Sequence, residues 1–136
     1  LNGSNANSSG QDYIAYCFAE KKGYSKFGSY TGNGNVDGTF VYTGFKPAWL
    51  LFKRTDSTNG WYLVDAVRQP NNGNGKYLIP NNTDVEQDST AHIDLLSNGF
   101  KVRSTDGSKN GSGNSYIYMA IGQSLVGSNN VPCTAR

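Results

Sequence analysis

The chain has 136 residues, with 12 Lys or Arg against 10 Asp or Glu and a net charge of +2. This length suits one domain. The basic residues are scattered, which excludes the concentrated positive patch of a nucleic-acid-binding domain. No apolar run is long enough to predict a membrane span.

The composition favours strands and turns over helices. Gly, Asn, Ser and Thr account for 56 of the 136 residues, and glutamate occurs only at Glu20 and Glu86. The small polar side chains compete for backbone hydrogen bonds, and glycine frees the backbone, so both disfavour helices. The sequence therefore predicts an all-β protein.

Nine short apolar or alternating stretches read as strands, each bounded by turn residues. Their lengths and spacing predict an antiparallel β-sandwich, of jelly-roll or lectin-like type, with no substantial helix. The predicted strands cover residues 13–19, 26–31, 39–43, 48–54, 61–67, 76–79, 92–96, 100–103 and 116–121.

Two pairs of these strands are predicted to be hairpins. An Asn59-Gly60 turn joins strands 48–54 and 61–67, and a turn at 97–99 joins strands 92–96 and 100–103. Residues 48–54 are apolar on both faces, which predicts a central strand covered on both sides. Trp49 and Trp61 are accordingly expected in the core.

An internal similarity bears on domain organisation. Residues 7–14 and 110–117 share Asn, Ser, Gly, Tyr and Ile at equivalent positions. Chance similarity between two loop-to-strand entries is one explanation, and a tandem array of similar units is the other. In the second case, residues 1–20 are the closing strand of a preceding unit or an N-terminal docking strand. Residues 21–136 then form the β-sandwich domain with an irregular C-terminal tail.

No combination of residues predicts catalysis. The single histidine, His92, opens a strand and has no sequence context that selects a nucleophile. Asp84, Glu86 and Asp88 lie on one polar stretch, whereas a glycosidase needs two carboxylates facing each other across a cleft. We therefore expect a protein that is not an enzyme and has no cofactor.

One loop has a weak metal-binding pattern. Asn33, Asn35 and Asp37 alternate as oxygen ligands do in calcium loops. The loop lacks the rest of the EF-hand pattern and its closing glutamate. Calcium is thus the only ion that the sequence suggests, and a solvated turn is the competing interpretation.

Nine tyrosines make a glycan site the main binding hypothesis, because exposed aromatic rings stack on sugars. The candidates expected to be exposed are Tyr24, Tyr30, Tyr62 and Tyr77.

The two cysteines are Cys17 and Cys133. Cys17 lies in an apolar run and is expected to be a small buried side chain. A disulfide between the two is open, with a reduced pair favoured because nothing else indicates a disulfide framework.

The sequence of several segments resembles a domain recurrent in virion proteins of tailed phages, especially marine ones. The similarity extends over nearly the whole chain. The segments that carry it are Tyr13-Ile-Ala-Tyr-Cys-Phe-Ala-Glu20, residues 23–34, residues 37–49, Phe52-Lys-Arg-Thr55, Leu96-Ser-Asn-Gly-Phe-Lys-Val-Arg103, Tyr116-Ile-Tyr-Met-Ala120 and Asn130-Val-Pro-Cys-Thr-Ala-Arg136.

This resemblance implies a structural or host-recognition domain of a tail fibre, spike or capsid decoration. Its location would be the virion, and its partners would be other virion subunits, further copies of itself, and a glycan or protein of the host surface. It implies no catalytic residue. The alternatives are a carbohydrate-binding module of a secreted or surface protein and a self-assembling filament or surface-layer subunit.

Overall fold

The computed structural model describes residues 8–73, 75–88 and 93–123 of the chain, and these contain seven strands and no helix. No helix in these ranges therefore has the length and apolarity that crossing a membrane requires. The strands are β1 Ser25–Thr31, β2 Phe40–Tyr42, β3 Pro47–Arg54, β4 Tyr62–Asp65, β5 Ile93–Leu96, β6 Gly99–Val102 and β7 Ser115–Gly122.

The strands form two antiparallel sheets. The larger sheet has the order β1-β7-β3-β4, and the smaller sheet has the order β2-β6-β5. The predicted all-β antiparallel sandwich is confirmed, with seven strands in the described ranges instead of nine.

Both predicted hairpins are present. Strand β3 pairs with β4 through the register Phe52 opposite Tyr62, and β5 pairs with β6 through Leu95 opposite Phe100. His92, which was expected to open the second hairpin, lies outside the described residues.

Two predicted strands are not strands. Residues 13–19 make no ladder, and residues 76–79 make only isolated bridges, in which Leu78 pairs with Leu63 and Tyr77 pairs with Gln87. The alternation of residues 13–19 is real in the sequence, but alternation forms a strand only where a neighbouring strand accepts its hydrogen bonds.

The core lies between the facing sides of the two sheets. Leu50, Phe52, Tyr116 and Ala120 come from the larger sheet. The smaller sheet contributes Val41, Ile93, Leu95, Phe100 and Val102.

Candidate binding surfaces

The outer side of the larger sheet, which faces away from the smaller sheet, is apolar and mostly half-buried. The pairing register aligns Phe27, Met119, Leu51 and Leu63 in one row across all four strands. Trp49, Ile117 and Ile121 flank that row on the same side, because strand side chains two residues apart share a face. These seven residues are called the outer apolar face below.

Strand β3 is central, as predicted, but only its inner side is covered by the other sheet. Leu50 is fully buried, whereas its neighbour Leu51 is only half-buried. The expectation that Trp49 and Trp61 pack in the core is also wrong, because both are half-buried and neither belongs to the core.

The segment of residues 13–19, called the N-terminal apolar segment below, is a second apolar surface. Its large side chains are Tyr13, Ile14, Tyr16 and Phe18, and they are 49%, 84%, 82% and 65% exposed. It leaves the sandwich beside β1, where the Phe18 ring lies 6.4 Å from the ring of Phe27. The half-buried outer apolar face and the exposed N-terminal apolar segment are therefore adjacent.

Cys17 lies in this segment and is exposed, so the expectation that it is buried is wrong. It forms no disulfide with any residue of the described ranges. Cys133 lies outside those ranges, so the proposed pairing stays a prediction.

Of the four tyrosines expected to be exposed, only Tyr24 is. Tyr30 is buried, stacks on Tyr116 at 4.7 Å between ring centroids, and donates its hydroxyl proton to the carbonyl of Lys109 at 2.8 Å. Burial, with a smaller contribution from Tyr116, raises the pKa of Tyr30. This ring is a core component and offers no face to a ligand.

Tyr62 and Tyr77 belong to a second aromatic cluster. Tyr62 is buried against Phe52 at 5.5 Å, and Tyr77 is half-buried with its ring 5.6 Å from Tyr62. The expectation of exposure is wrong for Tyr62. The ammonium of Lys109 lies 4.8 Å from the Tyr62 ring centroid and 5.3 Å from that of Tyr77, so a cation occupies the space beside both rings.

Lys109 is a buried cation that sequence reasoning missed. Its Nζ donates to Asp106 Oδ2 at 2.5 Å, while the Ser108 N–H donates to Asp106 Oδ1 at 2.8 Å. Partial burial would raise the pKa of Asp106, but the hydrogen bonds from Lys109 and Ser108 outweigh it and lower that pKa to about 2. The spacing Asp-x-x-Lys in a turn was the only signal that could have indicated the pair.

The loop with the calcium-like pattern is held by hydrogen bonds instead. Asn33 Oδ1 accepts from Asn35 N at 3.0 Å and from Asn110 Nδ2 at 2.9 Å, and Asn35 Oδ1 accepts from Asp37 N at 2.9 Å. The carboxylate of Asp37 forms ion pairs with Lys101 at 2.6 Å and Arg103 at 3.3 Å.

These contacts disfavour calcium at this loop, and the calcium site stays a prediction. The candidate ligand oxygens already accept from N–H groups, and two cations at Asp37 repel a divalent ion. The hydrogen bond and the charge of Lys101, together with the charge of Arg103, lower the pKa of Asp37. In the part of the chain that the structure describes, no three His, Cys, Asp or Glu side chains come together as metal ligands do.

Asn110 is the centre of this polar cluster. It is fully buried and its Nδ2 donates to Asn33 Oδ1, to Asn35 O and to Ser104 O, all within 2.9 Å. Its Oδ1 accepts from Asn33 N at 3.1 Å. Asn110 thus joins two loops at one end of the sandwich.

Two exposed rings that the sequence analysis overlooked lie on β2. Phe40 and Tyr42 are two residues apart, so their side chains share the outer side of the smaller sheet. Lys26 Nζ lies 5.7 Å from the Tyr42 ring centroid. No separate sequence signal indicated exposure here, because Phe and Tyr are also typical core residues.

The carboxylates Asp84, Glu86 and Asp88 are all exposed. Glu86 pairs with Arg68 at 2.8 Å and Lys76 at 3.5 Å, and Asp84 accepts from Asn82 at 2.7 Å. The Glu86 and Asp84 carboxylates therefore take part in local ion pairs and hydrogen bonds.

Comparison with known proteins gives a family and no activity. No curated protein and no solved structure matches the chain significantly. A family model described as a domain of unknown function, DUF7483, matches residues 1–124, which include both the sandwich and the N-terminal apolar segment. The chain therefore belongs to the DUF7483 family of domains.

Proposed function

We propose that this chain is a non-catalytic assembly domain of a phage virion appendage, such as a tail fibre, a spike or a capsid decoration. The observation that carries the proposal is the adjacency of two apolar surfaces, the half-buried outer apolar face and the exposed N-terminal apolar segment. Exposed apolar surface that continues into a larger apolar patch marks sites of protein–protein contact in soluble proteins.

The sizes involved support an interface between subunits. The side chains of Tyr13, Ile14, Tyr16 and Phe18 together expose on the order of 500 Å². With the surface that they would cover on a neighbour, burial of these side chains alone reaches about 1,000 Å², the lower end of a specific interface, and the outer apolar face adds to it.

The resemblance to tailed-phage virion domains is the reason for proposing a phage particle. The adjacent apolar surfaces are the reason for proposing assembly. The polar clusters support a non-catalytic role, because their charged groups are paired with one another. Lys109 is neutralised by Asp106, and Asp37 is paired with two cations. Neither pair leaves a free acid, base or nucleophile facing an open cleft.

The test is localisation in particles. Antibodies raised against the purified domain should label particles released by the source that encodes it, at one repeated position in electron micrographs. Antibodies adsorbed with the purified domain provide the control. A domain that is a stable monomer in solution and labels no particle contradicts the proposal.

Carbohydrate binding is a second candidate, favoured by the exposed rings of Phe40 and Tyr42. Two rings on one side of a strand offer a stacking platform for a sugar chain, and the neighbouring Lys101 and Asp94 offer polar contacts. A glycan array should then show saturable binding that Tyr42→Ala abolishes and Tyr30→Phe retains. Array binding that survives Tyr42→Ala contradicts this site.

A further inference from the structure

Each sheet has two edge strands, β1 and β4 in the larger sheet and β2 and β5 in the smaller one. These edge strands differ in whether other residues form hydrogen bonds with their free edges. At β5, Asn72 Oδ1 accepts from Leu95 N at 2.9 Å and Asn72 Nδ2 donates to Leu95 O at 3.3 Å. At β4, Leu63 exchanges two backbone hydrogen bonds with Leu78, at 2.9 and 3.0 Å. One side of the sandwich therefore has its strand edges closed.

Within the described ranges, the free edge of β1 is bonded near its two ends, at Ser25 and Phe27 N on one side and at Thr31 O, which accepts from Thr39 Oγ1 at 2.6 Å, on the other. Tyr24 O accepts from Gly122 N and Gly32 N donates to Asn114 O, so even-numbered residues of this strand bond to β7. The odd-numbered residues accordingly direct their N–H and C=O groups away from the sheet. Among the described residues, none bonds to the carbonyl of Phe27, to either backbone group of Ser29, or to the N–H of Thr31.

The segment that could cover this edge in its own chain is diverted before it reaches the open part. Lys21 and Ser25 exchange two backbone hydrogen bonds, which start a hairpin beside β1. At the next position, however, Phe27 N donates to the Glu20 carboxylate at 3.0 Å, and Ala19 O accepts from the Ser25 hydroxyl at 3.0 Å. Two of the four backbone groups that would form the next hairpin pair, Phe27 N and Ala19 O, are therefore already engaged.

We infer that the N-terminal apolar segment of a second copy of this chain pairs with the open edge of β1. Each molecule holds both parts, a seven-residue alternating segment without a ladder and a seven-residue strand with an open edge. An exposed edge of this kind is a template for strand addition, in which backbone bonds give affinity and alternate side chains give specificity. This inference rests on the proposed function and names its partner.

The contact is self-complementary, because one copy can donate its segment and accept the segment of the other in a closed pair. Strand addition also covers the apolar side chains that lie exposed in the single chain. In the described ranges β2 is also an open edge, but it has only three residues, whereas the open part of β1 spans five, from Phe27 to Thr31.

Hydrogen exchange at Ser29 tests the inference directly. In the full chain, the Ser29 N–H should exchange at least roughly tenfold more slowly at high protein concentration than at high dilution, because pairing protects it. The Gly28 N–H, on the β7 side of the strand, is the internal reference and should not change. Fast exchange at every concentration overturns the inference, and slow exchange that is independent of concentration overturns it in favour of pairing within one chain.

A matched pair of variants separates strand pairing from other contacts. Ser29→Pro removes an N–H that the β1–β7 ladder does not use, so the monomer should stay folded while the concentration-dependent protection of Thr31 N–H is lost. Ser29→Thr keeps the N–H and should retain the protection. Protection that persists in Ser29→Pro overturns the inference.

The outer apolar face distinguishes failure of this inference from failure of the proposed function. If the chain associates, Leu51→Lys dissociates it, and Ser29 N–H still exchanges quickly, strand pairing is overturned while the assembly role stands. If Ser29 is protected with concentration yet the particles are not labelled, the pairing stands and the virion role is wrong.

Discussion

The inner and outer sides of the larger sheet differ in what lies against them and very little in how apolar they are. Leu50 and Phe52 point inward to the smaller sheet, whereas Leu51 and Trp49, their neighbours in the same strand, point outward to the outer apolar face. A strand that is apolar on both sides is normally covered on both sides. This difference between the two sides is what motivates the proposal that another molecule covers the outer side of this sheet.

The largest expected effect is a difference in stability between substitutions at adjacent residues on the two sides of β3. Leu50→Ala leaves a cavity in the core and should lower the free energy of unfolding by about 2–5 kcal/mol. Leu51→Ala removes the same atoms from the outer side and should cost less than about 1.5 kcal/mol in the single chain. Urea denaturation at low protein concentration measures both, and equal losses would contradict the assignment of the two sides.

A buried and an exposed asparagine extend the comparison between inside and outside to polar side chains. Asn110→Ala leaves the carbonyls of Asn35 and Ser104 without their donor and should lower the free energy of unfolding by about 1–3 kcal/mol. Asn71→Ala, at an exposed position, is the matched control and should change stability by less than about 0.5 kcal/mol. A loss of similar size in both variants in thermal denaturation would show that the Asn110 cluster is not specific.

The tyrosines give a smaller contrast between inside and outside. Tyr30→Phe keeps the stacking on Tyr116 and removes one hydrogen bond to Lys109 O, so it should cost about 0.5–1.5 kcal/mol. Tyr24→Phe, at an exposed ring, should have almost no effect. Denaturant titrations measure the free energy of unfolding of both variants. A larger loss for Tyr24→Phe than for Tyr30→Phe would contradict the assignment of Tyr30 to the core.

The smallest effect is the pH dependence at Asp106. Its pKa in the folded chain, about 2, is below its ordinary value of 3.8, so the folded state binds the proton less readily than the unfolded state. The stabilisation from the pair with Lys109 is therefore present above about pH 4 and is lost as pH falls towards 2. The stability difference between wild type and Asp106→Asn should shrink over that interval. A difference that stays constant from pH 6 to about pH 2 would contradict the lowered pKa.

Local patterns in the sequence predicted the sandwich, both hairpins and the central position of β3. They did so because Asn-Gly turns and alternating apolar residues act over a few residues. The same patterns failed for residues 13–19, whose alternation is that of a strand but whose ladder partner is absent from the described chain. Whether a ring such as Tyr30 or Phe40 is covered depends on contacts between distant strands, and for that reason the glycan candidates were largely misplaced.

The Asn33, Asn35 and Asp37 pattern is ambiguous for a related reason. Alternating side-chain oxygens are useful both to a cation and to backbone N–H groups, and the spacing is the same for both. The choice is made by Asn110, Lys101 and Arg103, which lie more than 60 positions away along the chain. No local motif contains that information.

The most direct test of the central claim, that the outer apolar face is an interface, is the mass of the chain by sedimentation equilibrium. The wild type should have a multiple of the single-chain mass, and Leu51→Lys should reduce it to one chain. Leu96→Lys, on the outer side of the smaller sheet, should leave the multiple unchanged. A wild-type chain that sediments as a single copy at every concentration, or a Leu51→Lys variant that associates as the wild type does, would contradict the claim.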